Sequence, residues 1–444
     1  MRVKPHKIML PKGLVTLPTK ERVMKIEGIV IRDAEQVITL APDKGRPLRG
    51  GEMRNLGVRE DSSVLIEGGV IQGVGKYEDL MRGRSEKDYH VIDAIGKIVM
   101  PGFVDPHTHL VFAGLRANEL SWKIEGASYM DVAKRGGGIQ KTVRETREAS
   151  EEELFDQASK RVYDMLSCGT TTLEAKSGYG LTTEDEIRIL SVTAALSEKH
   201  PVDIVPTFLG AHAIPEEFVE DREGYLSLLE DEMIPAVAER KLAEFCDVFC
   251  EQGYFSPDES RRILERGQTL GMKSKIHADE FTLSGGSRVA AEIGAITADH
   301  LVRTSEEDMA RMANSGVVAV LLPAAPLLSM EDQFANARKM IELDIPIAVA
   351  TDFNPNCWVI SMQTVVSLAC CKMRMLPEEA IAASTINAAY AIGKGEKIGS
   401  LDVGKNADIL VLDVPDYLHI PYMFDQNNIE VVIKNGEIAQ RRGS

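Results

Sequence analysis

Cysteine is scarce in this sequence. Six in 444 residues are too few for a disulfide scaffold, and Cys246 and Cys250 lack a second pair at zinc-site spacing. All six are therefore read as reduced thiols of an intracellular protein. Basic residues are also short: 51 Lys and Arg face 68 Asp and Glu, giving a formal net charge of −17. That balance argues against nucleic acid or an anionic membrane as partner, because both need basic patches to neutralise phosphate. No apolar run approaches the ~20 residues of a membrane span. The first twenty residues are basic, and Pro11, Lys12 and Pro18 interrupt what would have to be a signal peptide's apolar stretch, so an ordinary extension is expected there. Low-complexity segments and short repeats are missing too. What remains is a cytoplasmic globular protein acting on a small molecule, and 44% hydrophobic with 27% charged residues suits one.

The length exceeds one average domain, while a single α/β barrel uses about 250 residues. From Val23 to Val99, short β-like runs alternate with turn residues, as in Val64-Leu65-Ile66-Glu67-Gly68-Gly69 and Ile71-Gln72-Gly73-Val74-Gly75. The same style returns from Ile398, with strands expected at Ala407 to Leu412 and Val431 to Asn435. In between, apolar runs alternate with long amphipathic stretches such as Ser150 to Leu166 and Glu184 to Lys199. The strands expected there are Phe103–His109, Thr170–Ala175, Val205–Ala211, Asp247–Glu251, Lys275–Ala278, Ile296–His300, Val317–Leu322 and Ile347–Thr351. The sequence thus predicts an α/β chain: a (β/α)₈ barrel over 100–390, with a small β-sandwich domain built from both chain ends, 1–99 and 391–444.

The polar residues of interest fall at the C-terminal ends of those strands, where barrel active sites are built. His107 and His109 are two apart, so on an extended strand both imidazoles project from one face. His277 ends the fifth strand, His300 the sixth, and Asp352 follows the eighth. Zinc and ferrous iron accept imidazole nitrogen and carboxylate oxygen, and a catalytic site keeps one position open. Three histidines and one aspartate at one barrel mouth satisfy that demand. The sequence has nine histidines, and so many at strand ends are hard to attribute to packing.

Four motifs carry a more specific likeness: His107-Thr108-His109-Leu110-Val111-Phe112-Ala113-Gly114, Lys176-Ser177-Gly178-Tyr179-Gly180-Leu181, Phe208-Leu209-Gly210-Ala211-His212-Ala213 and His277-Ala278-Asp279-Glu280-Phe281. Together with the Gly-Gly-Gly-Ile at 136–139, they resemble the imidazolonepropionases of the amidohydrolase superfamily, from about Met100 to Asn387. The resemblance implies that His107, His109, His277 and Asp352 hold one zinc or iron ion (Fe²⁺ or Fe³⁺) per chain. It further implies that Glu280 hydrogen-bonds the substrate and the water, and that His300 polarises the scissile carbonyl or shuttles protons. Arg116, Tyr179 and His212 would bind the ring and its propionate, with Asn354 and Asn356 also at the substrate. One departure is plain: the family follows Asp-x-Asn-Pro with glycine and a small hydroxyl residue, whereas here Asn356, Cys357 and Trp358 follow Pro355.

The implied reaction is hydrolysis of the ring C–N bond of 4-imidazolone-5-propanoate to N-formimidoyl-L-glutamate, a step of histidine degradation, by attack of metal-activated water. Asp352 would accept the water's proton and pass it to the departing nitrogen. Glu280 also suits a plain helix start. Glu251, ending the fourth strand, is expected as a partner of the ligands, and Lys176 as a structural or substrate-side charge. Two rivals share the fold. A purine or pyrimidine deaminase would use the same metal set but would not need a cation for a carboxylate tail. A non-catalytic scaffold protein would not need the metal set at all. A homodimer is the default assembly.

Overall fold

The computed structural model describes residues 27–40, 45–127 and 129–443. The basic N-terminal stretch, and the start of the first β-rich run at Val23, lie outside the described residues. Eight parallel strands, Phe103–Asp105, Thr170–Lys176, Asp203–Ala211, Phe245–Cys250, Lys273–Ala278, Thr297–His300, Val318–Leu321 and Ile347–Val349, are hydrogen-bonded in chain order. Every strand read from the sequence overlaps one of them.

The first strand departs most from expectation, stopping at Asp105 rather than His109. Pro106 has no N–H to give to a ladder. Beyond it the chain stays extended because it pairs with the continuation of the eighth strand. Asp352 N–H donates to His107 O (3.2 Å), His109 N–H to Phe353 O (2.8 Å), and Thr108 bridges Phe353 in parallel. The Asp105 carboxylate accepts both the N–H (3.1 Å) and the hydroxyl (2.6 Å) of Thr351. These contacts join the first strand to the last and bring the two histidine rings to 5.3 Å between centroids.

Helices cover the outside. Glu151–Ser167 begins at Ser150, whose hydroxyl accepts from Glu153 N–H while the Glu153 carboxylate accepts from Ser150 N–H, a reciprocal cap. Leu154, Ala158, Val162 and Met165 repeat at helical spacing and are buried against the barrel. Each of the larger three contributes about 1.5–3 kcal/mol of apolar burial. Thr183–Lys199 starts on the Thr182 hydroxyl, which accepts from Asp185 N–H. Among the described residues, no helix is long and apolar enough to cross a membrane.

The chain ends form a second, eight-stranded sheet. Its centre is the antiparallel pair Ile98–Pro101 with Ile409–Leu412, residues some 300 positions apart. Ile429–Lys434 and Glu437–Arg441 extend it on one side, and Gly28–Ile38, Val58–Glu67 and Val70–Gly75 on the other. Tyr89–Asp93 pairs with the first half of Gly28–Ile38 and Ile98–Pro101 with its second half. The register shifts between Ile31 and Ala34. The sheet's inward side chains enclose one aliphatic cluster, including Ile31, Val64, Ile409 and Ile433.

Candidate active site at the barrel mouth

Three loop devices aim side chains into a cavity at the C-terminal end of the strands. The first is the Lys176–Leu181 segment. The buried Glu186 carboxylate accepts the N–H groups of Gly178 (3.0 Å), Gly180 (2.8 Å) and Leu181 (2.8 Å), which turns Tyr179 into the cavity. Gly178 has φ +109°, and a Cβ there would lie 2.9 Å from His212 Nδ1. His212 needs that approach, since Nδ1 is 3.0 Å from Gly178 O. The second is the glycine run at 136–138. A Cβ on Gly137 would meet Glu119 Oε1 at 2.7 Å, and Gly138 N–H donates to the same oxygen at 2.9 Å. Glu119 thereby stays buried and grips Arg116. The third is Glu251, which accepts the N–H groups of Phe281 (2.9 Å) and Thr282 (3.2 Å). It shapes the segment carrying Glu280. That segment is not a helix start, because the next helix is Gly286–Ile293.

All six residues read as substrate-binding, Arg116, Tyr179, His212, Glu280, Asn354 and Asn356, line this cavity, together with His277, His300 and Asp352. His107 and His109 lie within reach beneath it. His109 is stacked on His212 at 5.0 Å, and His107 is 4.5 Å from His277 between ring centroids.

His107 Nδ1 is 2.6 Å from Asp299 Oδ2, which leaves Nε2 as the lone-pair nitrogen, buried and without a hydrogen-bond partner. That Nε2 is 3.5 Å from Asp352 Oδ1, and His109 Nε2 is 3.7 Å from the same oxygen. His277 Nε2 faces His109 Nε2 at 3.5 Å, while its Nδ1 is 3.1 Å from Asp247 Oδ2. Donors about 2.0–2.1 Å from one tetrahedral ion are separated by roughly 3.3–3.4 Å. His107, His109 and Asp352 therefore offer ligand atoms within 4.8 Å of one another, as do His107, His277 and His300, so two triads that share His107 could hold a metal ion, and the Asp299 carboxylate orients His107 as metal-binding histidines require. His300 lies within 4.8 Å of His107 and His277, atom to atom, so it is a member of one of the two candidate triads.

A second grouping, His107 with Glu174 and Asp299, is already filled by a cation. The Lys176 ammonium is 3.0 Å from Glu174 and 3.5 Å from Asp299, and 2.7 Å from Asp247. Lys176 is thus a structural charge below the site rather than a substrate contact. Sequence reasoning missed Asp247, Asp299, Glu174, Glu186 and Glu119 as supports of the site.

Burial holds His107, His109 and His300 well below the ordinary imidazole pKa and brings His212 down to about 3, so these rings are neutral. Burial lifts Asp352 to about 7, and burial plus the Asp352 charge lift Glu280 well above the usual carboxylate range. Two ligand-bearing or cavity residues are also strained: His300 has φ +74° and Asp352 φ +53°. L-residues rarely adopt that region, and such strain clusters at functional sites.

A model of the amidohydrolase family matches residues 98–439. The imidazolonepropionase of Geobacillus kaustophilus (strain HTA426) is 49% identical over 418 residues, covering 94% of this chain and 98% of that protein. That of Clostridium tetani (strain Massachusetts / E88) is 47% identical, covering 94% and 100%. The chain belongs to the imidazolonepropionase family. It is accordingly a hydrolase acting on cyclic-amide C–N bonds, within the metal-dependent amidohydrolases. Among solved structures, the E. coli guanine deaminase superposes with a TM-score of 0.71 at 16% identity, covering 94% of this chain and 99% of that one. A zinc-bound adenosine deaminase from Xanthomonas campestris gives 0.68 at 19%, covering 93% and 92%. At such identities the likeness to imidazolonepropionase's deaminase cousins concerns the fold alone.

Proposed function

We propose that this member of the family hydrolyses 4-imidazolone-5-propanoate to N-formimidoyl-L-glutamate, using one zinc or iron ion per chain held by His107, His109, His277 and Asp352. The observation that supports the reading is that Arg116 lines one cavity with His277 and Asp352, with His107 and His109 in contact with them. A carboxylate-bearing ring needs both the ligand set and Arg116, and a planar base needs only the ligand set.

When bound, the ion supplies Lewis acidity that makes water a usable nucleophile near neutral pH. The chain's own groups do the rest. Asp352, between the histidines and the cavity, would take a proton from the water and return it to the ring nitrogen as the C–N bond breaks. His300, whose Nδ1 lies 3.5 Å from Glu280 Oε1, would donate an N–H to the ring carbonyl. Glu280, whose pKa burial raises, lines the cavity within hydrogen-bonding reach of a ring bound there. Tyr179 and His212 would wall the ring, and Arg116, held by Glu119, would stand at the propionate end as an N–H donor. The free thiols at all six cysteines suit a cytosolic setting.

The test is turnover of the imidazolone, followed by loss of its absorbance and appearance of the formimidoyl product, with elemental analysis of the same sample. About one metal per chain and cleavage of the ring are expected. Release of ammonia from a purine or pyrimidine, with the imidazolone untouched, would overturn the assignment. Arg116→Ala is expected to lower kcat/KM for the imidazolone at least 10-fold, about 1.4 kcal/mol, with metal content unchanged.

A further inference from the structure

Arg116 does not meet the cavity as an open cation. Its Nε is 2.9 Å from both Glu119 oxygens and its Nη2 is 2.8 Å from Oε2. The two side chains are 3% and 0% exposed, so the pair brings no net charge to an incoming propionate. A carboxylate taken out of water there needs a further positive charge close by.

Lys123 has one. It sits on the short helix Glu119–Ile124, half-buried, and its ammonium donates to Leu328 O at 3.3 Å and to Asn356 Oδ1. Both acceptors are neutral. Burial first and the neighbouring Arg116 second push its pKa down, as expected of a cation held among neutral oxygens. Lys123 lines a groove of about 980 Å³ beside the substrate cavity, and Arg116 and Asn356 line both spaces. Asn356 thus stands in the wall between the ammonium and the substrate. Its position is further fixed from behind, where its N–H donates to Asn354 Oδ1 at 2.7 Å.

Resting on the reaction proposed above, we infer that Lys123 supplies the net positive charge for the substrate's carboxylate and that Asn356 relays it. With Oδ1 turned to the ammonium, the amide presents its Nδ2 hydrogens on the other side, polarised by the cation, as donors to the propionate. This gives a physical role to the asparagine that stands where the family pattern has glycine. Lys123 and Asn356 together would set the preference for an acid over a neutral side chain.

The experiment compares 4-imidazolone-5-propanoate with its uncharged carboxamide on the metal-loaded full chain, in wild type, Lys123→Met, Lys123→Arg and Asn356→Gly. Lys123→Met is expected to raise KM for the acid by about 10-fold or more while kcat stays within about threefold, and to cut the acid-over-carboxamide ratio of kcat/KM by a similar factor. Lys123→Arg should keep most of that ratio, and Asn356→Gly should lose part of it. A Lys123→Met enzyme that keeps the wild-type ratio overturns the inference while leaving the reaction intact. Should Lys123→Met fail to fold, an unchanged ratio in Asn356→Gly overturns the relay just as well. A wild type inert on both compounds overturns the reaction and the inference together.

Discussion

The two β cores of this molecule are built from opposite materials. The composite sheet encloses Ile31, Val37, Val64, Val99, Ile409, Val411 and Ile433, all fully buried and all aliphatic. Beneath the barrel mouth the fully buried layer is Glu174, Lys176, Asp247, Lys275 and Asp299. Lys275 is 2.8 Å from Glu174 and donates to Pro106 O at 2.9 Å, tying the fifth strand to the chain that carries His107. Burial opposes the charge on Lys176, yet Asp247 and Glu174 beside it raise its pKa above the ordinary ammonium value. Aliphatic burial stabilises in proportion to area, whereas buried charges recover their desolvation cost only when geometry and pairing are complete. The first core therefore holds the fold. The second holds His107 in one tautomer and orientation through Asp299, and sets the Asp247 carboxylate 3.1 Å from His277 Nδ1.

The sharpest way to break the contrast is Lys176→Met. It leaves three buried carboxylates facing the single ammonium of Lys275, and the expected cost is about 3–5 kcal/mol of stability, with loss of bound metal. Denaturant melts and elemental analysis measure both, and a variant as stable as wild type with its metal in place would show that the charges are mere filling. Next comes Ile409→Ala in the sheet, expected to cost about 2–4 kcal/mol through lost burial and the cavity left behind. Metal content and kcat/KM should stay at wild-type values, because the site hangs from the other core. A fall in either would mean that the two cores are coupled.

His300→Ala tests the mouth without touching the layer below. Its ring neighbours Glu280 of the cavity wall at 3.5 Å, whereas His107 is held from below by Asp299 at 2.6 Å. Turnover should drop about 10²-fold, some 2.7 kcal/mol at the transition state, with metal retained. Loss of metal together with activity would make it a ligand.

The same contrast governs what could be read in advance. The barrel strands and the residues at their ends were legible because a βα rhythm puts chemistry at strand termini, so His277, His300 and Asp352 announce themselves. The composite sheet was legible as strands from both ends, but its register depends on pairing across some 300 residues, which no local period encodes. Asp247 and Asp299 were overlooked because each sits inside a short apolar run. A carboxylate flanked by Cys246 and Val248 in a buried parallel strand is itself the signal, since water cannot reach it and something must pair with it. Glu186 hid in the amphipathic stretch Glu184 to Lys199, where an acidic residue near a helix start suits solvent, and Glu119 in a segment to which no element was assigned. The left-handed backbone at His300 and Asp352 has no signature in residue type, and Pro106 was the unused reason to end the first strand early.

The smallest expected effect isolates burial from distance. Lys97 and Glu430 join the two chain ends within the composite sheet, with Nζ and Oε2 2.7 Å apart. Lys176 and Asp247 are separated by the same 2.7 Å in the barrel. The first pair is 22% and 21% exposed, the second 0% and 0%. At the sheet, water screens the attraction and two long side chains lose rotamer freedom to make it, so a double-mutant cycle should give only about 0.2–1 kcal/mol. Raising salt from 0.1 to 1 M shortens the Debye length from about 10 to about 3 Å and should erase most of that coupling. In the barrel no solvent intervenes, so the coupling should be several-fold larger and nearly indifferent to salt. Equal couplings at the two sites would mean that separation alone sets the energy, and the division between a core that stabilises and a core that orients would lose its physical basis.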